Sequence, residues 1–185
     1  MDQELAQAVI DECVGNAHGN LARVTELVEQ NPGVVNARAT WNETPIEAAT
    51  EMANRPIIDF LVERGAPVDF FTACVLGDIG RVCAELGGEP NVARARGVHD
   101  LPSLYFAAIG GSRQVAELLL AAGAGVNEQA ESAAPIHGAV MGGDAEMVRL
   151  LLSRGADPEL PDFKGRGARQ LALDLDRPEI ALLFD

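Results

Sequence analysis

The chain has 185 residues, a length that fits one domain or one array of small repeats. Hydrophobic residues make up 48% and charged residues 23%, as in an ordinary soluble protein. Acidic residues outnumber basic residues 28 to 14, which gives a formal net charge of -14. A nucleic-acid groove or an anionic membrane surface needs a basic footprint, so this balance argues against both kinds of partner.

The N-terminal residues and the cysteines indicate where in the cell the protein is located. The first four residues (MDQE) lack the basic and apolar regions of a signal peptide, and no apolar run approaches the ~18 residues of a membrane span. We therefore expect a cytoplasmic protein. Cys13, Cys74 and Cys83 are too few for a disulfide scaffold, and each falls on an expected apolar helix face, so three buried, reduced thiols are predicted.

A short glycine-polar pair, or its equivalent, opens an apolar helix six times along the chain. The pairs begin at positions 19, 53, 77, 111, 143 and 176, with spacings of 34, 24, 34, 32 and 33 residues. A period near 33 residues with one short unit is typical of a repeat array. One unit of this size cannot bury its own apolar face, so stability is expected from stacking.

Two further motifs recur at the same period. The first, which precedes the pair by nine residues, reads TPIEAA at 44–49, PSLYFAA at 102–108 and APIHGA at 134–139. The second, at the end of each long helix, reads RGAPVD at 64–69, AGAGVN at 122–127 and RGADP at 154–158.

These three motifs resemble the ankyrin repeat, which has a T-P-L-H-x-A-A first helix, an apolar second helix, and a G-A-D-x-N segment that leads into a hairpin finger. The resemblance covers about residues 8–185. Within the family, the sequence is similar in character to bacterial ankyrin-repeat proteins. It implies an all-α solenoid of stacked helix-turn-helix units with short, partly degenerate hairpin fingers. Thr44 and Asp69 are predicted N-caps, and Pro45 fits the first turn of its helix.

The resemblance divides the chain into six repeats of a single domain, 1–185. In chain order they are an N-terminal cap at about 4–34, a nearly complete repeat at 36–67, a short repeat without a finger at about 68–93, a full-length repeat at 94–126, a repeat at 127–157 that is one residue short before Ala134, and a C-terminal cap at 159–185.

The fingers depart from the family's D-x-x-G tip, which survives only at positions 162–165. Ala39 and Asn42 stand in these places in the second repeat, and Gly97 and Asp100 in the fourth. Asn and Asp tolerate left-handed backbone geometry, so the turns are expected to persist. Without a side-chain acceptor at positions 39 and 97, those two fingers are expected to be looser.

Catalytic and metal-binding motifs are not found in the sequence. It has no zinc-finger spacing, no H-E-x-x-H, no G-x-S-x-G and no phosphate loop. His137 falls on the family's structural histidine, whereas His18 and His99 are expected to be solvated. We therefore expect no enzyme activity, no catalytic residue, no metal ligand and no cofactor.

The resemblance also implies a binding surface, because the family binds partner proteins with its finger tips and the exposed positions of its first helices. The predicted partner-binding residues are Arg38, Trp41, Glu51, Met52, Val75, Leu76, Arg96, His99, Phe106, Ile109 and Met141. The apolar residues among them are predicted to line one groove, or else to be partly buried between repeats. Trp41, the only tryptophan, either anchors the partner or folds back over the missing third finger.

Arg38, Arg94 and Arg96 fall on fingers, so a locally basic rim that favours an acidic partner is one hypothesis. Scattered, solvated arginines are the alternative. The predicted function is a non-catalytic module that binds an unidentified protein as a monomer, with a homodimer as the alternative. Two rival functions stay open: a ligand-binding or enzymatic pocket beside the shortened third repeat, and self-assembly through the apolar groove.

Overall fold

The computed structural model describes residues 6–185, so the acidic N-terminus and the predicted start of the first repeat at residue 4 lie outside the described residues. Between residues 6 and 185 the chain forms twelve α-helices and no β-strand, with one isolated antiparallel bridge between Arg96 and Pro102. No helix in that range combines the length and apolar character that a membrane crossing requires. The chain divides into two compact units, Met1–Thr72 and Ala73–Asp185.

The first compact unit, called the N-terminal unit below, contains two complete helix pairs. Its helices are α1 (Gln7–Ala17), α2 (Leu21–Gln30), α3 (Pro45–Glu51) and α4 (Arg55–Glu63), with a 3-10 turn at Pro32–Asn36. Helix α1 packs against α2 and α3, and α3 packs against α4. Helix α5 (Phe70–Leu76) begins in this unit and continues past its boundary.

The second compact unit, the C-terminal unit, continues the same pattern. Its helices are α6 (Ile79–Gly88), α7 (Ser103–Ile109), α8 (Arg113–Ala121), α9 (Pro135–Gly142), α10 (Ala145–Ser153), α11 (Ala168–Asp174) and α12 (Pro178–Ala181). The first helices of successive repeats stack directly, α7 on α9 and α9 on α11. Stacked helix pairs confirm the predicted fold class, whereas the single-domain organisation stays a prediction.

The recurring glycine-polar pair is explained by helix capping. The polar residue is the N-cap of the second helix, and its side chain accepts a hydrogen bond from the backbone N–H three residues later. This holds for Asn20, Asn54, Asp78 and Asp144. Before three of these caps the residue takes a left-handed backbone, with φ of 71° at Gly77 and 77° at Gly143, and Ala53 adopts φ of 49° in the same role.

The predicted caps of the first helices are also confirmed. Thr44 and Glu47 form a reciprocal capping box, in which the Thr44 N–H donates to Glu47 Oε2 at 2.8 Å and the Glu47 N–H donates to Thr44 Oγ1 at 3.4 Å. Asp69 Oδ1 accepts from the Thr72 N–H at 2.8 Å. The third repeat therefore passes from Asp69 directly into α5 without a finger.

Cys13 and Cys74 are buried as predicted, and burial raises the pKa of the Cys13 thiol to about 11. The prediction for Cys83 is wrong, because this thiol is exposed. On α6 it follows buried Val82, and one residue of helix turns the side chain by about 100°, away from the core.

Candidate partner-binding surface

The structure separates the predicted binding residues by exposure. Arg38, Trp41, Met52, Arg96 and His99 are exposed, Glu51, Leu76 and Met141 are half-buried, and Val75, Phe106 and Ile109 are buried. Of the two alternatives for the apolar members, the open groove is therefore wrong for the last three, which are buried.

Val75 and Ile109 are covered because the next repeat approaches them at van der Waals distance. A Cβ atom on Gly110 would lie 2.4 Å from the Val75 carbonyl oxygen, and one on Gly142 would lie 2.5 Å from that of Ile109. Only glycine permits this contact between consecutive first helices. The two side chains thus belong to the interface between repeats.

Phe106 is fully buried for a related reason. Every residue of α7 is buried, since this helix packs against α8, α9 and the 3-10 turn at Pro90–Arg94. The Phe106 ring meets that of Tyr105 edge to face, with centroids 5.6 Å apart. Phe106 therefore stabilises the core of the C-terminal unit and is not available to a partner.

Trp41 lies on the finger of the second repeat. The finger is closed by hydrogen bonds from the Ala39 N–H to the Glu43 carbonyl at 2.8 Å and from the Asn42 N–H to the Ala39 carbonyl at 2.8 Å. Asn42 has φ of 67°, so the turn persists as predicted. The indole N–H of Trp41 donates to Glu43 Oε2 at 2.7 Å, while 48% of the residue stays exposed.

The same finger is fastened to α1. Asp11 accepts hydrogen bonds from the Thr40 N–H at 2.9 Å and from the Thr40 hydroxyl at 3.0 Å. Gln7 donates to Asp11 at 2.8 Å, and the hydrogen bonds from Gln7 and then Thr40 hold the pKa of Asp11 below its usual value. Trp41 is thus presented on an anchored loop.

The exposed Arg38 holds this finger from its outer side. Its guanidinium donates to the Asn42 carbonyl at 2.8 Å and pairs with both oxygens of Glu47, each at 3.1 Å. The bidentate pair offsets the charge that Arg38 would offer to an acidic partner.

The finger arginines of the fourth repeat, like Arg38, are bonded to groups of the protein itself. Arg96 donates to the Asp100 carbonyl at 2.9 Å and to the Gln129 carbonyl at 3.2 Å. Arg94 pairs with Glu128 at 3.2 Å. These contacts do not support a basic rim, because each arginine in question has a carboxylate or carbonyl partner.

A cluster that sequence reasoning missed lies beside Trp41. His18 Nε2 is 3.9 Å from Glu43 Oε2 and 3.7 Å from Glu51 Oε2, and Glu43 is only 1% exposed. The Glu51 carboxylate and, more weakly, Glu43 raise the pKa of His18 against the opposing effect of burial. The expectation that His18 is simply solvated is wrong, since the packing of α1 on α3 brings these residues together.

Comparison with known proteins agrees with this architecture. Residues 70–162, half of the chain, match the family model described as ankyrin repeats in three copies. The chain belongs to the ankyrin-repeat family. Ankyrin repeats generally act as protein–protein interaction modules and are generally non-enzymatic.

Two curated relatives share part of their sequence with this ankyrin-repeat protein. Human BCL-6 corepressor-like protein 1 is 30% identical over 134 residues, which are 72% of this chain and 7% of that protein. A Rickettsia felis protein named as an ankyrin repeat protein is 27% identical over 148 residues, 75% of this chain and 55% of that protein. The chain thus spans about half of one relative and a small part of the other.

His137 holds the structural position that the ankyrin repeat predicts. It is fully buried, and its Nδ1 accepts from the Ala134 N–H at 2.9 Å. Burial lowers the pKa of His137, although Asp162 and the backbone of Arg166 and Leu160 act in the opposite direction. This histidine therefore works as a neutral helix-capping group.

A cavity of about 600 Å³ lies where the ligand-binding alternative expects one, between the second repeat's finger and the segment that leads into α5. Its charged lining includes Arg38, Glu47 and Asp69. Arg38 and Glu47 bond to each other, and Asp69 caps α5 through the Thr72 N–H. These charged side chains therefore make hydrogen bonds within the protein, and they are not free to bind a ligand in the cavity.

Proposed function

We propose that this ankyrin-repeat protein is a non-catalytic binding module that contacts a partner protein through the Trp41 surface, defined as Trp41, Met52, Glu51 and His18, with the buried Glu43 holding the Trp41 indole. The observation that carries the proposal is the Trp41 ring, which is 48% exposed while its indole N–H is fixed on Glu43 Oε2 at 2.7 Å. Tryptophan is among the residues that contribute most at protein interfaces.

The fixed orientation of Trp41 supports this role. A side chain held by a hydrogen bond loses less conformational freedom on binding, so more of its contact energy appears as affinity. Tryptophan also buries a large apolar area while keeping one polar group bonded. Met52, directly after Glu51 and 40% exposed, adds an adaptable apolar contact.

The charge around Trp41 indicates the partner's chemistry. Glu43 and Glu51 lie within 3.9 Å and 3.7 Å of His18, while the positive charge of Arg38 is taken by Glu47. An apolar segment flanked by a basic side chain fits this surface better than an acidic one, because complementary charge sets specificity and association rate. This partner replaces the acidic segment expected from the arginines alone.

The C-terminal unit contributes the remaining proposed contacts. Arg96 and His99 are exposed, and Leu76 and Met141 are half-buried, so they stay candidates for partner contact. We further propose a cytoplasmic monomer without nucleic-acid or membrane partners. The net charge of -14 and the free thiols favour it. Light scattering over a concentration series tests the monomer, which a concentration-dependent dimer mass would contradict.

Affinity capture with matched aromatic variants tests the binding surface. Trp41→Ala removes the proposed anchor, and Phe163→Ala is the control because Phe163 is an exposed aromatic on another finger, 69% accessible. Quantitative proteomics of source-cell extract should show partners that bind wild type and Phe163→Ala equally but lose at least about tenfold with Trp41→Ala. Circular dichroism checks that both variants fold. Retention by Trp41→Ala together with loss by Phe163→Ala would move the site to the C-terminal unit.

A further inference from the structure

His18, Glu43 and Glu51 bring three ligand-type atoms together from three separate segments. His18 follows the end of α1, Glu43 closes the finger, and Glu51 is the last residue of α3. The imidazole nitrogen and the two carboxylate oxygens all lie within 4.8 Å of one another. Each segment is held independently, by helix packing or by the finger's hydrogen bonds, so the cluster is part of the folded framework.

The imidazole is oriented with a defined nitrogen toward the carboxylates. His18 Nδ1 lies 3.3 Å from the Gly15 carbonyl, so an N–H at Nδ1 donates to that oxygen. In the neutral ring this leaves the lone pair of Nε2 facing Glu43 and Glu51 at 3.9 Å and 3.7 Å. Three electron-rich atoms in this arrangement repel each other unless a cation lies between them, either a proton on Nε2 or a metal ion.

The surroundings of the cluster match those of metal ligands. Histidines that bind metals usually donate the other ring N–H to a carbonyl or carboxylate, as His18 does to Gly15. Carboxylate ligands are likewise hydrogen-bonded from outside, as Glu43 is by the Trp41 indole at 2.7 Å. Glu43 is 1% exposed and its Oε2 faces His18 Nε2 at 3.9 Å, so a cation between them would offset the cost of burying the carboxylate.

The spacing and donor set select the kind of ion. Zinc bonds to nitrogen and oxygen of about 2.0–2.2 Å place tetrahedral ligand atoms about 3.4 Å apart. The two separations from His18 Nε2, 3.7 Å and 3.9 Å, lie within a few tenths of an ångström of this spacing, and all three ligand atoms lie within 4.8 Å of one another. One imidazole with two carboxylates suits transition metals, whereas Mg²⁺ and Ca²⁺ prefer oxygen-only sets.

We propose that His18 Nε2 and the carboxylates of Glu43 and Glu51 bind a divalent transition-metal ion of the Zn²⁺ type, with an open position for water. The site shares these residues with the Trp41 surface, but metal binding can be tested without a partner because all three ligands come from this chain. Sequence spacing could not indicate it, since the ligands are separated by 25 and 8 residues and meet only when α1 packs on α3.

Calorimetric titration with Zn²⁺ tests the site in a Cys83→Ser background, because the exposed Cys83 thiol can itself bind zinc. The parent should bind one Zn²⁺ at neutral pH and show no saturable Mg²⁺ binding. His18→Ala and Glu51→Gln should each weaken Zn²⁺ binding at least about tenfold. His99→Ala removes an exposed histidine on another finger and should leave the titration unchanged.

Trp41 supplies a second, local readout, because it is the only tryptophan and its indole bonds to a proposed ligand. Added Cu²⁺ or Co²⁺ should quench its fluorescence with saturation in the parent, and this saturation should be lost in His18→Ala. Circular dichroism establishes that each variant folds, and Glu51→Gln replaces His18→Ala if the latter does not. No saturable Zn²⁺ binding, or binding unchanged in both ligand variants, overturns the proposal and leaves a proton as the cation of the cluster.

Discussion

The fingers at residues 39–43 and 162–166 share one backbone turn. In each, the first residue's N–H donates to the carbonyl four residues later, at 2.8 Å for Ala39 and 2.9 Å for Asp162. A left-handed residue follows at the fourth position, Asn42 with φ of 67° and Gly165 with φ of 74°. The side chains that hold the turns are nevertheless different.

Asp162 holds its finger from inside. The residue is 6% exposed, and its carboxylate accepts from the Lys164 N–H at 2.8 Å and the Arg166 N–H at 2.9 Å. The Arg166 guanidinium adds bonds of 2.8 Å and 2.6 Å. Ala39 offers no acceptor, and the exposed Arg38 instead bonds the Asn42 carbonyl from outside. The turn therefore persists without its buried acid when a neighbouring arginine bonds the turn's backbone carbonyl.

The largest expected effect is on the finger with the buried acid. Asp162→Asn removes the charge that the Arg166 guanidinium and two backbone N–H groups share. The free energy of unfolding should therefore fall by about 3 kcal/mol, as when one partner of a buried pair is removed. Urea unfolding followed by circular dichroism measures this change. A loss below about 1 kcal/mol would contradict the role of Asp162 in holding the finger, because one neutral hydrogen bond contributes about that much to stability.

Acid should act selectively on the same finger. Burial raises the pKa of Asp162, but hydrogen bonds from Arg166 and from the Lys164 N–H outweigh it and leave the pKa below its ordinary value of 3.8. A lowered folded pKa gives stability that is present above pH 3.8 and lost as pH falls through the folded pKa. Urea midpoints measured between neutral and strongly acidic pH should fall less steeply in Asp162→Asn than in wild type. Parallel slopes would show that other carboxylates control the acid response.

Arg38→Met should have a smaller effect on the finger held from outside. Arg38 is 52% exposed, so solvent screens its pair with Glu47, and the expected loss is about 0.5–1 kcal/mol. Added salt should reduce the difference from wild type, because the pair is exposed. The same denaturant titration measures it. A loss as large as that of Asp162→Asn would remove the distinction between the two fingers.

The smallest effect is expected from placing an Asp at the first position of the fourth repeat's finger, where the residue four positions later is not arginine. Gly97→Asp in the fourth repeat could accept backbone N–H groups of its own turn, but position 101 is leucine rather than arginine. A gain of at most about 0.5 kcal/mol is expected, because an Asp in such a turn bonds its own backbone only weakly without a charged partner. Thermal unfolding checks this. A gain comparable to the Asp162 effect would show that the carboxylate suffices without Arg166.

Local features could be predicted from the sequence. The six helix pairs, the Thr44 capping box, the Asp69 cap and the left-handed Asn42 each depend on residues within a few positions of one another. Their signals are therefore complete within one repeat.

Features that depend on stacking could not be predicted. For Val75 and Ile109 the sequence left an exposed groove and burial between repeats as alternatives, and only the close approach of the following repeat at Gly110 and Gly142 decides for burial. The surroundings of His18 likewise depend on the packing of α1 on α3, whereas the exposure of Cys83 follows from its phase on α6, one residue after the buried Val82. The roles of Arg38 and Arg96 within the turns also required the folded geometry. The contact surface itself stays a proposal.

The placement of Trp41 has a consequence for how the molecule unfolds. The single tryptophan lies in the N-terminal unit and the single tyrosine, Tyr105, in the C-terminal unit, so each unit carries its own optical reporter. In repeat arrays cooperativity passes from neighbour to neighbour, and a weak junction lets segments melt in sequence. Coincident indole and phenol transitions would mark one cooperative array, and separated transitions would locate its weakest link between the two reporters.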